Sequence, residues 1–183
     1  MINFGEYIQY TKKILDSVNH DPIYKAIELI EKTRQKQKTI YIIGNGGSAA
    51  NASHFANDLC KYTRNSGPIK AISLTDNFSL ISAYANDDGY DSIFEQQLKI
   101  TSQPDDVLIA ITCGGNSPNV LKALQYAKST FMHTIGFLAY DGGKSKQYID
   151  IPIHVEIDDI ATSEGVHSLI MHYMAIQLLG KIV

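Results

Sequence analysis

Only two cysteines, Cys60 and Cys113, occur in the 183 residues. They are too few for a disulfide framework and fit a reducing compartment. No hydrophobic run approaches the ~20 residues that a membrane span needs. The opening residues lack the charged-then-apolar order of an export signal, so a cytoplasmic protein with no membrane partner is expected. Basic residues form no stripe and the formal net charge is −3, so nucleic acid is not an expected partner. No linker-like or low-complexity stretch divides the chain, and its length fits a single domain, 1–183, able to bury its own core. What remains is an ordinary globular composition, 44% apolar and 19% charged.

Hydrophobic spacing predicts helices over 4–18 and 21–37, with Tyr7, Thr11, Ile14 and Val18 on one face of the first and Ile23, Ile27 and Ile30 on one face of the second. Asp21 is the expected N-cap of the second helix, with Pro22 at its first position. Short apolar runs at 39–43, 69–74, 106–111, 132–138 and 151–155 then alternate with helical segments at 48–62, 77–86, 91–101, 117–129 and 161–181. That alternation predicts an α/β fold: a five-stranded parallel sheet with helices on both faces, three layers in all. The leading pair, 4–37, has no place in a minimal sandwich of this kind and reads as an oligomer-contact extension.

Two stretches carry chemistry. In Thr39–Asp58 a buried strand runs into Gly44-Asn-Gly-Gly-Ser48 and then into a helix, which places unpaired helix N–H groups and a hydroxyl where an anion can sit. His54 and Asp58 are four residues apart, hence on one face of that helix. Val107–Ser117 repeats the order of strand, glycine turn, serine and helix. Two such turns at the carboxyl ends of parallel strands share the sheet edge where open α/β folds bind ligands. Gly44-x-Gly46-x-x-Ala49 also matches a relaxed dinucleotide fingerprint. Asp76, however, falls too late for the acidic partner of that motif, and Asn51, His54 and Asp58 make the helix face too polar. A phosphorylated small molecule is the expected ligand.

Gly44–Ala56, Leu74–Asn77, Ala85–Asp87, Gly115–Leu121 and Asp141–Lys144 together resemble the phosphoheptose isomerases, a sugar-isomerase (SIS) domain family. The likeness runs over nearly the whole chain and is nearest to the branch linked with GDP-heptose precursors. It implies a doubly wound, flavodoxin-like fold, a homotetramer with sites at subunit contacts, and a bound Zn2+. The family's activity is the interconversion of sedoheptulose 7-phosphate and D-glycero-D-manno-heptose 7-phosphate through an enediol, here for surface polysaccharide. Its metal and acid/base positions fall on His54, Asp58, Glu164 and His172. The catalytic set implied is Asp58 as base and His172 as acid, with Glu164 able to take the base role.

That chemistry needs a base at carbon and an acid or metal at the oxygens, and carboxylate and imidazole supply both. Ser48 and Ser117 are the expected phosphate hydroxyls, with backbone N–H groups of Gly46, Gly47 and Gly114 behind them. Asn45, Thr112 and Asn116 are candidates for sugar hydroxyls or phosphate, and Asn86 and Asp87 for orienting the sugar chain. Lys144 reads as a solvated charge. His167 lies about 140° around the helix from His172 and is left as a supporting or intersubunit residue. Glu164 and His172 are about 12 Å apart along a helix, so they share one ion only if long side chains converge or the helix starts irregularly. The chain departs from the family pattern in three places. The acid and amide usual at positions 58 and 164 become Asp58 and Glu164. Cys113-Gly114 replaces hydroxyl residues of the second turn. Ala161 replaces an aspartate, with Asp158 and Asp159 nearby. A non-catalytic SIS-domain sugar-phosphate-binding protein and an isomerase of another sugar phosphate are the rival readings.

Overall fold

The computed structural model describes residues 2–65 and 67–180. Five strands, β1 (Thr39–Gly44), β2 (Lys70–Ser73), β3 (Val107–Thr112), β4 (His133–Leu138) and β5 (Ile151–His154), form one sheet in the order β2-β1-β3-β4-β5. Every pairing is parallel, with Ile40 opposite Val107 and Gly44 opposite Ile111 across the central pair. The helices are α1 (Phe4–Ser17), α2 (Asp21–Gln35), α3 (Gly47–Thr63), α4 (Phe78–Asp87), α5 (Ile93–Thr101), α6 (Pro118–Ser129) and α7 (Ile160–Leu179). The expected helix over 91–101 starts as a 3-10 turn, Tyr90–Ser92, before α5. Residue 181, at the end of the expected last helix, lies outside the described residues; Gly180, at φ 71°, stops α7 in the left-handed region.

Alternate residues of each strand feed the two faces of the sheet. Ile40, Ile42, Ile109 and Phe137 pack with α2, α3 and α7 on one side, whereas Tyr41, Ile43, Leu108 and Ala110 pack with α5 and α6 on the other. The three-layer, doubly wound reading therefore holds. The leading helices behave unequally. Ile23, Ala26 and Ile30 put α2 into the core, while α1 buries only Ile14. Asp21 is not the N-cap expected: His20 holds that position with no side-chain bond, and Asn19 Oδ1 accepts the N–H of Asp21 at 3.1 Å. The N–H groups of Ile23 and Tyr24 bond the His20 carbonyl, at 3.0 and 3.2 Å, so the helix begins one residue earlier than expected.

The strand order reverses direction between β1 and β3. At such a switch point the following helices leave on opposite faces and open a crevice at the carboxyl ends of the strands. The turns after Gly44 and Thr112 are its two walls.

Candidate active site

The first wall is built by a glycine that only glycine can replace. Gly46 occupies the N-cap of α3 at φ 56°, ψ −125°, a region that side chains with a Cβ avoid. The chain thereby turns from β1 into α3 within two residues and leaves the first N–H groups of α3 facing the crevice. Ser48, 5% exposed, sits behind them beside Cys113. The second wall runs from Thr112 to Ser117. Ser117 is the N-cap of α6 yet makes no side-chain cap bond. The hydroxyl therefore remains free of the helix backbone.

Two turns along α3, three donor atoms converge. His54 Nε2 lies 3.5 Å and His172 Nε2 3.6 Å from Asp58 Oδ2, and the two imidazole nitrogens are 3.4 Å apart. Asp58 is 2% exposed, and its other oxygen accepts Asn57 Nδ2 at 3.2 Å, which fixes the carboxylate's rotation. The imidazole side chains are partly open, at 53% and 43%. His54, Asp58 and His172 are the one metal-competent cluster of three among the described residues. A tetrahedral ion with bonds of about 2.05 Å separates its ligand atoms by roughly 3.3 Å. The three edges seen here match that separation, and the donor set of two imidazoles and one carboxylate suits a divalent transition cation.

A profile of the SIS domain matches residues 6–139. Phosphoheptose isomerase from Helicobacter pylori strain P12 is 38% identical over 164 residues, which cover 89% of this chain and 85% of that protein. Phosphoheptose isomerase from Clostridium acetobutylicum is 36% identical, over 90% of this chain and 85% of its own length. The structure of phosphoheptose isomerase GmhA from Neisseria gonorrhoeae superposes with a TM-score of 0.89 at 31% identity, covering 97% of this chain and 95% of that one. The chain belongs to the phosphoheptose isomerase family.

Not every residue expected in this phosphoheptose-isomerase-family site joins the trio. Glu164 is not in it. Its carboxylate lies on the first turn instead, so close that a Cβ built on Gly47 would stand 2.2 Å from Glu164 Oε2. Helical side chains lean toward the N-terminus, which carries Glu164 toward the start of α7 and away from His172, about 12 Å further along the axis. A further link is the 3.0 Å bond from Asn51 Nδ2 to the Glu164 carbonyl. Burial first, and the Glu164 charge second, raise the Cys113 thiol above its ordinary pKa. The site is thus a strip along the α3–α7 contact, with a carboxylate at the turn and the His/Asp trio two helical turns away.

Several polar side chains expected to meet ligand are engaged elsewhere. Asn45 is bonded through both amide atoms to Asn119 at 2.9 Å. Asn116 braces its own turn, giving Nδ2 to the Gly114 carbonyl at 2.7 Å and accepting the N–H of Lys144 at 3.1 Å. Thr112 is buried at the end of β3, and Gly114 is open, with nothing within 4 Å of a built Cβ. Asn86 and Asp87 stand exposed at the end of α4, bonded to each other at 2.7 Å. Lys144 is exposed, as expected. Asp159 is not a free acid near the site: it caps α7 through Thr162 N at 3.2 Å and Thr162 Oγ1 at 2.6 Å. The intersubunit option for His167 is overturned. It is 0% exposed, its Nε2 donates to the Leu138 carbonyl at 3.0 Å, and burial pushes its pKa down to about 4. Sequence reasoning missed Asn119 and Tyr90, because the partner that gives each its meaning is tens of residues away.

Proposed function

We propose that this chain interconverts sedoheptulose 7-phosphate and D-glycero-D-manno-heptose 7-phosphate by proton transfer through an enediol, for heptose supply to surface polysaccharide. Family membership supplies the reaction class. The observation that carries the chemistry is the His54–Asp58–His172 convergence two turns along α3 from an anion-accepting turn. We place the protein in the cytoplasm. No helix among the described residues is long and apolar enough to cross a membrane.

In this reading the phosphate lies across the crevice, held by Ser48, Ser117 and the N–H groups of Gly46, Gly47 and Gly114. The sugar then runs along the α3–α7 strip toward the trio. Asp58 and His172 stand 3.6 Å apart, within reach of the neighbouring carbon and oxygen of one enediol. Asp58 takes and returns the proton on carbon, and His172, partly open, moves the proton between the oxygens. Glu164, half-buried on the turn two helical turns away, meets the sugar chain between the phosphate and the trio. Asn86 and Asp87, Thr112 and Asn116 remain outer contacts for the sugar chain. His54, Asp58 and His172 would hold Zn2+, which when bound polarises the substrate oxygens and stabilises negative charge on them.

A homotetramer with sites at subunit contacts fits the uncovered apolar surface. Phe4 and Ile8 on α1 and Leu169 on α7 are 77%, 48% and 51% exposed. Between these helices lies a cavity of about 480 Å³ walled by Leu15, Ile23, Tyr24, Tyr173 and also His172, so a partner covering it would close one side of the trio. A role without catalysis would have no use for three convergent donors beside the sugar. The deciding experiment is turnover of sedoheptulose 7-phosphate by purified protein with metal content measured in parallel. Turnover that a chelator removes and zinc restores is expected; absence of turnover with zinc present rejects the reading.

A further inference from the structure

The two walls of the crevice are tied together by a pair of side-chain amides. Asn45 gives Nδ2 to Asn119 Oδ1 at 2.9 Å and receives Asn119 Nδ2 on its own Oδ1 at 2.9 Å. The partners are 74 residues apart in sequence, one between Gly44 and Gly46, the other in the first turn of α6. Asn119 is 1% exposed, and its Oδ1 also accepts the N–H of Val120 at 2.9 Å. From the solvent side Tyr90, 57% exposed, donates its hydroxyl to Asn45 Oδ1 at 3.0 Å. Every polar atom of the buried amide is therefore engaged.

Such a pair is a costly way to fill space. Burying an amide carries a desolvation cost that an apolar contact of the same size avoids, and the bond made in return little more than offsets it. What it supplies is direction. Each amide sets an N–H donor beside a carbonyl acceptor in one plane, so the reciprocal bonds hold two backbones at one separation and one angle. Here the backbones are those of the turn that carries the phosphate-binding hydroxyl Ser117 and the turn that carries Glu164 against Gly47.

We propose that the Asn45–Asn119 pair is a positioning device that fixes the distance between the two turns and so selects the chain length of the sugar phosphate. This rests on the isomerase reading above: with phosphate held between the two turns, their separation sets how far it stands from the trio and so which carbons reach Asp58 and His172. Neither amide touches the reacting atoms. Tyr90 holds the same oxygen from outside and keeps Asn45 in register when the crevice is empty.

The test compares Asn45→Leu, Asn119→Leu and the double variant, each near the size of asparagine but without donor or acceptor. Steady-state rates are read on sedoheptulose 7-phosphate and on a five-carbon ketose phosphate, with inorganic phosphate as competing ligand. Each single variant should lose about 10- to 100-fold in kcat on the heptulose, the range that a misplacement near 1 Å produces. Phosphate inhibition should weaken less than kcat falls, and the double variant should be no worse than either single, because one broken side already breaks the pair. Preference for seven over five carbons should fall about tenfold. A merely structural role would lower all substrates alike and leave that ratio unmoved, which overturns the proposal, as do losses that multiply in the double variant.

A second readout needs no turnover. In amide NMR spectra without ligand, Asn119→Leu should shift Gly46, Gly47 and Ser48 on the first turn while the amides of β4 stay at their wild-type positions. Leu removes both the donor and the acceptor that Asn119 gives Asn45 without adding a charge. If the first-turn amides do not move, the turns are not coupled through the pair. If they move but the wild type turns over no sugar phosphate, the coupling stands and the isomerase reading fails.

Discussion

Two histidines only five residues apart on α7 do opposite things because of where each ring ends up. His172 opens onto the trio, so His172→Gln should abolish turnover, by about 10³-fold or more, with the circular dichroism spectrum unchanged. Glu164→Gln should leave bound metal intact and slow proton exchange at carbon by no more than about tenfold, against the larger loss in His172→Gln, since Glu164 lies on Gly47 and not with the three donors; the check is metal content beside solvent deuterium incorporation. Loss of metal in that variant would return Glu164 to the ligand set. His167 is sealed in the core, and its folded pKa of about 4 lies below the ordinary 6.5. The unfolded chain therefore binds a proton that the folded chain refuses as pH falls from about 6.5 toward 4. Stability is full above that window and declines through it, by up to roughly 3 kcal/mol at 1.36 kcal/mol per unit. Urea midpoints at pH 7 and pH 4.5 should converge in His167→Gln, whose amide can still donate to the Leu138 carbonyl.

At the scale of elements, α7 depends on a single side chain for its start. Asp159→Ala removes the bonds to Thr162 and should cost about 1 kcal/mol, read as a lower thermal midpoint. The strands were legible in the sequence to within a residue or so: β1, β3 and β4 because a sheet buried on both faces needs unbroken apolar runs such as Val107–Ile111, and the half-buried edge strands β2 and β5 because they alternate with helical segments. The two turns were legible too, since Gly46 at positive φ leaves a glycine in the sequence as its trace. The spacing of His54 and Asp58 survived because a helix converts four residues into one face. Glu164 did not follow, because side-chain lean and the register of α7 on α3 are tertiary facts. Asn45 looked like a ligand residue for the same reason: its partner Asn119 is near only once β1 and β3 pair.

For the whole molecule, function depends on how the α3–α7 strip is covered. The apolar surface of α1 and α7 and the cavity against His172 lead us to expect four chains in sedimentation equilibrium. Leu169→Glu should split that species and reduce turnover together, since the same face adjoins the trio. Everything else rests on the chain being an isomerase whose trio holds a cation. The most direct test is conversion of sedoheptulose 7-phosphate by the purified protein before and after chelation, with zinc added back. Turnover lost with the metal, restored with it, and absent in His172→Gln is the expected result. Turnover that persists undiminished in the metal-stripped protein, or no turnover in the zinc-loaded one, would contradict the account.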